Sequence, residues 1–166
     1  MTRMIDPLLA EMEQEAATTR RVLERVPNDK LGWKPHPKSM SLGQLALHVA
    51  TTPGSASELL AEDVSEVPEP TYPAANSAAE LVPALEESIK TAKRVAGGFD
   101  DKKAMGTWKL MKDGKEVMAA PRIAVVRMAM LSHWIHHRGQ LSVYLRLLDV
   151  PVPSIYGPSA DENPFE

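Results

Sequence analysis

HWIHHRGQLSVYL, residues 133–145, lies inside the last long periodic stretch of the chain, Pro121 to Val150, and carries three of its five histidines. Read as a helix at about 100° per residue, it places His133, His137, Gln140 and Tyr144 within roughly 60° of one another. Val126, Ala129, Met130, Leu147 and Leu148 project in nearly the same direction, so this stripe is expected to face a core. Two imidazoles four residues apart on one helix face can share one divalent ion, as in the helical His pair of zinc peptidases. In those enzymes a Glu follows the first His as the base; here Trp134 follows His133, so that motif is absent.

The pair needs a partner, and His48 is the candidate. The segment SLGQLALHVATT, residues 41–52, opens with Ser41 followed by Gln44, the spacing of a capping box. Leu42, Leu45, His48, Val49 and Thr52 then share one side of the helix it starts. A buried ring nitrogen without a partner costs on the order of 1 to 3 kcal/mol, so a histidine interrupting a row of leucines must find one inside. Two imidazoles from one helix and one from another make a three-nitrogen site with an open position, the pattern of catalytic rather than structural zinc. Gln140 is expected to support a ligand imidazole, and Tyr144 either to donate to a bound substrate or to fill the core. His136 lies about 100° from His137 and is expected to face solvent or a neighbouring helix, and Arg138, about 140° from His133, to form an ion pair or an interface contact. His36, among prolines, reads as an exposed loop residue.

These residues resemble the DinB-like superfamily of helical-bundle metalloproteins, which also embraces mycothiol-dependent maleylpyruvate isomerases and bacillithiol transferases. The resemblance rests on Trp33, Pro35, Ser41, Gly43 and His48, and on HWIHHRGQLSVYLRLLDVPVPSIYGPSADE from His133 to Glu162. It implies an all-α, four-helix bundle, a zinc or nickel ion held by His48, His133 and His137, and a homodimer. Of activity it implies a metal-dependent enzyme acting with a low-molecular-weight thiol, an S-transferase or an isomerase.

Composition sets looser bounds. At 166 residues, with 43% apolar and 25% charged, the chain reads as one globular domain over 1–166. A formal charge of -3 and the lack of a basic stripe argue against nucleic acid as a partner. There is no cysteine, which excludes disulfides, zinc ribbons, iron–sulfur ligation and a cysteine nucleophile; any thiol must come with the substrate. The N-terminal MTRMIDPLLAEMEQEAATTRR has acidic residues where a signal peptide needs an apolar run, and no stretch is apolar enough to span a membrane. A cytoplasmic protein acting on a small molecule, with no membrane partner, is the expectation.

In chain order, helical spacing of Ile5, Leu8, Leu9, Met12, Ala16 and Leu23 predicts a first helix from about Ile5 to Arg25. The His48 helix is expected to be short, broken by Thr51, Thr52, Pro53 and Gly54, with a second short helix from Ser55 to Glu62. EDVSEVPEPTYPAAN, residues 62–76, reads as an acidic, proline-rich surface crossing that shapes the mouth of a pocket, with a lid as the other possibility. Ser77 and Glu80 read as a capping box for a helix ending at Gly97 and Gly98. Residues 107–118 read as a hairpin around Asp113–Gly114, which must pack on the bundle or on a second subunit. Pro121 is expected at the first position of the last helix. The tail SIYGPSADENPFE has the composition of a disordered segment, whereas its resemblance to the family suggests order.

An ion held by neutral imidazoles lowers the pKa of bound water and deprotonates a bound thiol. Thiol chemistry therefore ranks ahead of hydrolysis, which wants a carboxylate base; Asp161 and Glu162 are the only candidates for it. The reading from another class is a non-catalytic dimeric metal-binding or stress-response protein whose ion braces the bundle.

Overall fold

The computed structural model describes residues 2–165. The chain is mostly helical with a small three-stranded sheet. Helix α1 (Asp6–Leu23) packs on α3 (Leu81–Val95), α3 on α2 (Leu42–Leu59), and α2 on the last helix, α6 (His133–Leu147), which returns to α1. Met12, Leu45, Val49, Leu85 and Trp134, from all four, meet in one fully buried core.

The start of α2 forms as its sequence dictates. The Ser41 hydroxyl accepts from the Gln44 amide at 3.2 Å and the Gln44 side chain accepts from the Ser41 amide at 2.9 Å. The expected break at residues 51–54 does not occur: α2 runs continuously with Pro53 inside it. Proline leaves the carbonyl four residues back without its helical donor, and here the indole Nε1 of Trp134, on α6, donates to that Val49 carbonyl at 2.7 Å. One residue on, the Gly54 amide donates to the Ser88 hydroxyl at 2.8 Å, and a Cβ at Gly54 would lie 3.0 Å from the Ser88 carbonyl oxygen. Neighbouring helices thus supply what the proline removes.

The crossing also differs from a plain loop. Val64–Glu66 forms strand β1, parallel to β2 (Thr107–Lys112), which pairs antiparallel with β3 (Lys115–Pro121). Asp113 and Gly114 both take positive φ, 50° and 74°, as a two-residue hairpin turn requires. The sheet is fastened to the helices by two side chains. Trp108 is buried with its indole donating to the Leu59 carbonyl at 3.3 Å, and the buried Arg122 guanidinium donates to the carbonyls of Leu60, Glu62 and Lys103, the last in the short helix α4 (Asp101–Met105), and to the Asp63 carboxylate. Isolated, the hairpin would be marginal; the third strand and these clamps anchor it.

Two helix starts depart from expectation. Ser77 accepts from the Ala79 amide, while Glu80 reaches past it to the Asn76 amide at 2.6 Å, so a 3-10 turn over Ala78–Glu80, not a reciprocal box, leads into α3. Pro121 ends β3 and stands just before a short helix, α5 (Arg122–Val125), because its extended ψ of 131° suits a strand. Between α5 and α6, Val126–Ser132 is π-helical. This wider turn resets the phase of everything after it. Trp134, Arg138, Leu141 and Leu145 take the buried face of α6, whereas Leu147, placed by expectation in the core stripe, is 58% exposed.

The tail is ordered by charge. Asp161 accepts from Arg146 and from the Val152 amide, and Glu162 accepts from Arg21, Arg25 and the Ser154 amide. Its composition concealed this because the arginines lie on α1, just past its end, and on α6. Among the described residues no helix is long and apolar enough to cross a membrane.

Candidate metal centre

His48 sits in the second turn of α2; His133 is the first residue of α6 and His137 lies one turn on. The structure brings all three together. The His48 and His133 Nε2 atoms are 3.2 Å apart, and the ring centroids are 4.6 Å (His48–His137) and 4.4 Å (His133–His137) apart. One nitrogen from each ring lies within 4.8 Å of the other two. Nitrogens held about 2 Å from a common tetrahedral ion stand roughly 3.3 Å from one another, so this donor set fits a divalent metal.

The row His133, His137, Gln140, Tyr144 does not face the core, as expected, but is rotated about 100° from the buried row of α6. His48 and His137 are half-buried and His133 is exposed. The imidazoles therefore stand at the edge of the core, where solutes reach them. Burial, then the nearby His137 and His133 rings, depress the His48 pKa to about 4. Burial also depresses His133, with a contribution from His136, and His137, against the opposing hydrogen bond to Gln140. At neutral pH all three are uncharged, the form that ligates metal.

Gln140 lies where helical spacing places it, its carbonyl oxygen 2.7 Å from His137 Nδ1. That contact makes Nδ1 the protonated nitrogen and leaves Nε2 with a free lone pair. Tyr144 fills a structural place: its hydroxyl donates to the Met40 carbonyl at 3.3 Å and its ring meets Trp33 edge-on. His136 is exposed, its ring 5.1 Å from His137 but outside the cluster, and His36 is an exposed loop residue accepting from the Lys38 amide. Arg138 is buried, paired with Glu15 at 2.5 Å, donating to Thr19 at 3.2 Å and to the Tyr156 hydroxyl at 2.7 Å, while that hydroxyl donates back to Glu15. Asp161 is held by Arg146 and Glu162 by Arg21 and Arg25, and neither lines any part of the cleft beside the histidines.

A cleft of about 670 Å³ opens beside the cluster, with His48 and His133 on its wall, lined by α2 and by residues 68–73 of the crossing. The Gln44 side-chain amide donates to the Tyr72 carbonyl at 2.8 Å, and the Tyr72 ring stands 6.0 Å from that of His48. Sequence reasoning expected the crossing to shape a pocket but did not single out Glu69 or Tyr72. Nothing local marks them, since they reach the site only when the crossing folds over α2.

The DinB family model matches residues 1–164 of the chain. The chain is similar to the uncharacterized protein YrdA of Bacillus subtilis (strain 168), 24% identical over 98% of this chain and 93% of the relative. Its fold is similar to two crystal structures of DinB-like proteins. YjoA from Bacillus subtilis has a TM-score of 0.68 at 17% identity, covering 90% of this chain and 98% of that one. The protein from Bacillus cereus ATCC 10987 has a TM-score of 0.68 at 22% identity, covering 94% and 100%.

Proposed function

The chain belongs to the DinB family, and from that premise we propose that His48, His133 and His137 hold one divalent ion, zinc or nickel, in a four-helix bundle that acts with a low-molecular-weight thiol as an S-transferase or isomerase. The observation that carries this reading is the convergence of three neutral imidazoles from two helices, one nitrogen from each within 4.8 Å of the others. Three protein donors leave a coordination position free. An ion in such a site supplies charge that deprotonates a bound thiol at neutral pH. The residues around it position and shield. Gln140 holds His137 in the ligating tautomer, the core under α2 and α6 fixes the backbones from which the rings project, and the crossing forms one wall of the cleft. Hydrolysis is the weaker reading: Asp161 and Glu162, the bases named from the sequence, are engaged elsewhere, which leaves only Glu69 of the cleft wall for that role among the described lining residues.

Elemental analysis of untagged protein purified without chelators is expected to give one zinc or nickel per chain, lost in His48→Ala and His137→Ala. In the cobalt-substituted protein a thiol such as 2-mercaptoethanol is expected to shift the visible bands by entering the free position. Absence of stoichiometric metal overturns the centre; a cobalt spectrum indifferent to thiols overturns the thiol chemistry and leaves a bracing ion. We also propose a homodimer, supported by Val143 and Leu147 standing exposed on α6; light scattering of the purified protein tests it.

A further inference from the structure

The cleft beside the imidazoles has a chemistry of its own. Leu47, Ala56 and Leu59 of α2 and Ala129 of the π segment give it apolar walls, and Pro68, Pro70 and Pro73 close the opposite side. Among the described residues that line it there is no lysine or arginine, and Glu69 is the only acidic side chain. The hydroxyl protons of Thr51 and Thr52 are already given to the Leu47 and His48 carbonyls, and the other hydroxyls on its wall, of Ser55, Thr71 and Tyr72, offer only uncharged donors. Away from the imidazoles, an anionic group entering here loses hydration, meets a like charge and finds no lysine or arginine. An apolar group displaces water from apolar walls, which is favourable in proportion to the area covered. At about 670 Å³ the space is that of a small-molecule site, not of a polymer groove.

We propose that the substrate of this centre is a small molecule with an uncharged alkyl or aryl body, seated between α2 and residues 68–73 with its reacting end toward His48 and His133, and that molecules with an anionic body are rejected. This rests on the metal-centre reading above for what happens at the reacting end, but the preference of the cleft is independent of the ion.

The test uses two fluorescent probes that share one skeleton, N-phenyl-1-naphthylamine and its sulfonated relative 8-anilinonaphthalene-1-sulfonate. In the metal-free protein the neutral probe is expected to bind at least tenfold more tightly than the sulfonate. Ala56→Trp, which fills the cleft, abolishes that binding, and Glu69→Lys, on the exposed crossing, narrows the difference. In the cobalt-loaded protein, hexane-1-thiol displaces the neutral probe at concentrations where 6-mercaptohexanoate does not. Equal or tighter binding of the sulfonate, indifference of both probes to both substitutions, or equal displacement by the two thiols overturns the inference. His137 does not line the cleft, so His137→Ala removes the ion and leaves probe selectivity intact. Probe selectivity in a wild-type protein that purifies with no stoichiometric metal therefore sinks the centre and keeps the cleft, whereas stoichiometric metal with no probe selectivity does the reverse.

Discussion

Gln140 decides which nitrogen of His137 is free to ligate, because its carbonyl oxygen accepts the Nδ1 proton at 2.7 Å. Gln140→Ala is expected to weaken zinc binding about 10- to 100-fold in a competition titration with a chromophoric chelator, while thermal stability of the metal-free protein changes little. The imidazoles themselves predict a pH response. Their folded pKa values lie below the ordinary 6.5, that of His48 at about 4, so between those values the unfolded chain binds more protons than the folded one. Stability of the metal-free protein is therefore fully present above pH 6.5 and falls as pH drops toward 4. Urea unfolding at half-unit steps across that window checks the slope, and His48→Ala is expected to flatten it.

At the scale of the element, two departures from ideal helix matter for the site. The first is the passage of α2 through Pro53, made possible by Trp134 of α6 donating to the freed Val49 carbonyl. His48 and that carbonyl are adjacent in sequence, so the bond fastening the two helices lies beside the two histidines that face each other. The second is the π segment Val126–Ser132, which ends immediately before His133. Wide turns of this kind are energetically poor and concentrate at functional sites. Deleting Met128, which is 48% exposed, is expected to let the segment relax to α-helix with the phase of His133 nearly kept, because six residues at about 100° turn through roughly the same angle as seven at the smaller step of a π-helix. Far-ultraviolet circular dichroism should stay helical and elemental analysis should show the metal retained; loss of the metal would count against the phase argument.

At the scale of the whole molecule, one buried network joins the first helix, the last helix and the tail. Arg138 is 1% exposed and its partner Glu15 is 13% exposed, with the Tyr156 hydroxyl donating to Glu15 and accepting from Arg138. Glu15→Ala removes one partner and leaves a buried guanidinium, which is expected to cost about 3 to 5 kcal/mol in chemical denaturation. The outer pairs of the tail, Asp161 with Arg146 and Glu162 with Arg21 and Arg25, are more exposed and screened by solvent, so they contribute less than the buried network. Arg138 follows His137 on the same helix, so the network that orders the tail also restrains the rotation of α6 about its axis.

What is local was legible in the residues alone. The capping box of Ser41 and Gln44, the Asp113–Gly114 turn, the one-turn spacing of His133 and His137 and the reach of Gln140 to His137 each depend on a few neighbouring dihedrals. His48 was legible for a different reason, as a polar ring among leucines that had to meet something inside. Tertiary structure alone decided whatever depends on a partner distant in sequence. Pro53 reads as a break until Trp134 arrives, residues 64–66 read as loop until β2 offers an edge, and the tail reads as disordered until three arginines collect its carboxylates. The cleft wall at 68–73 belongs with these, since a backbone polar group or a charge is satisfied equally well by near and far partners, and only the folded chain shows which one it has.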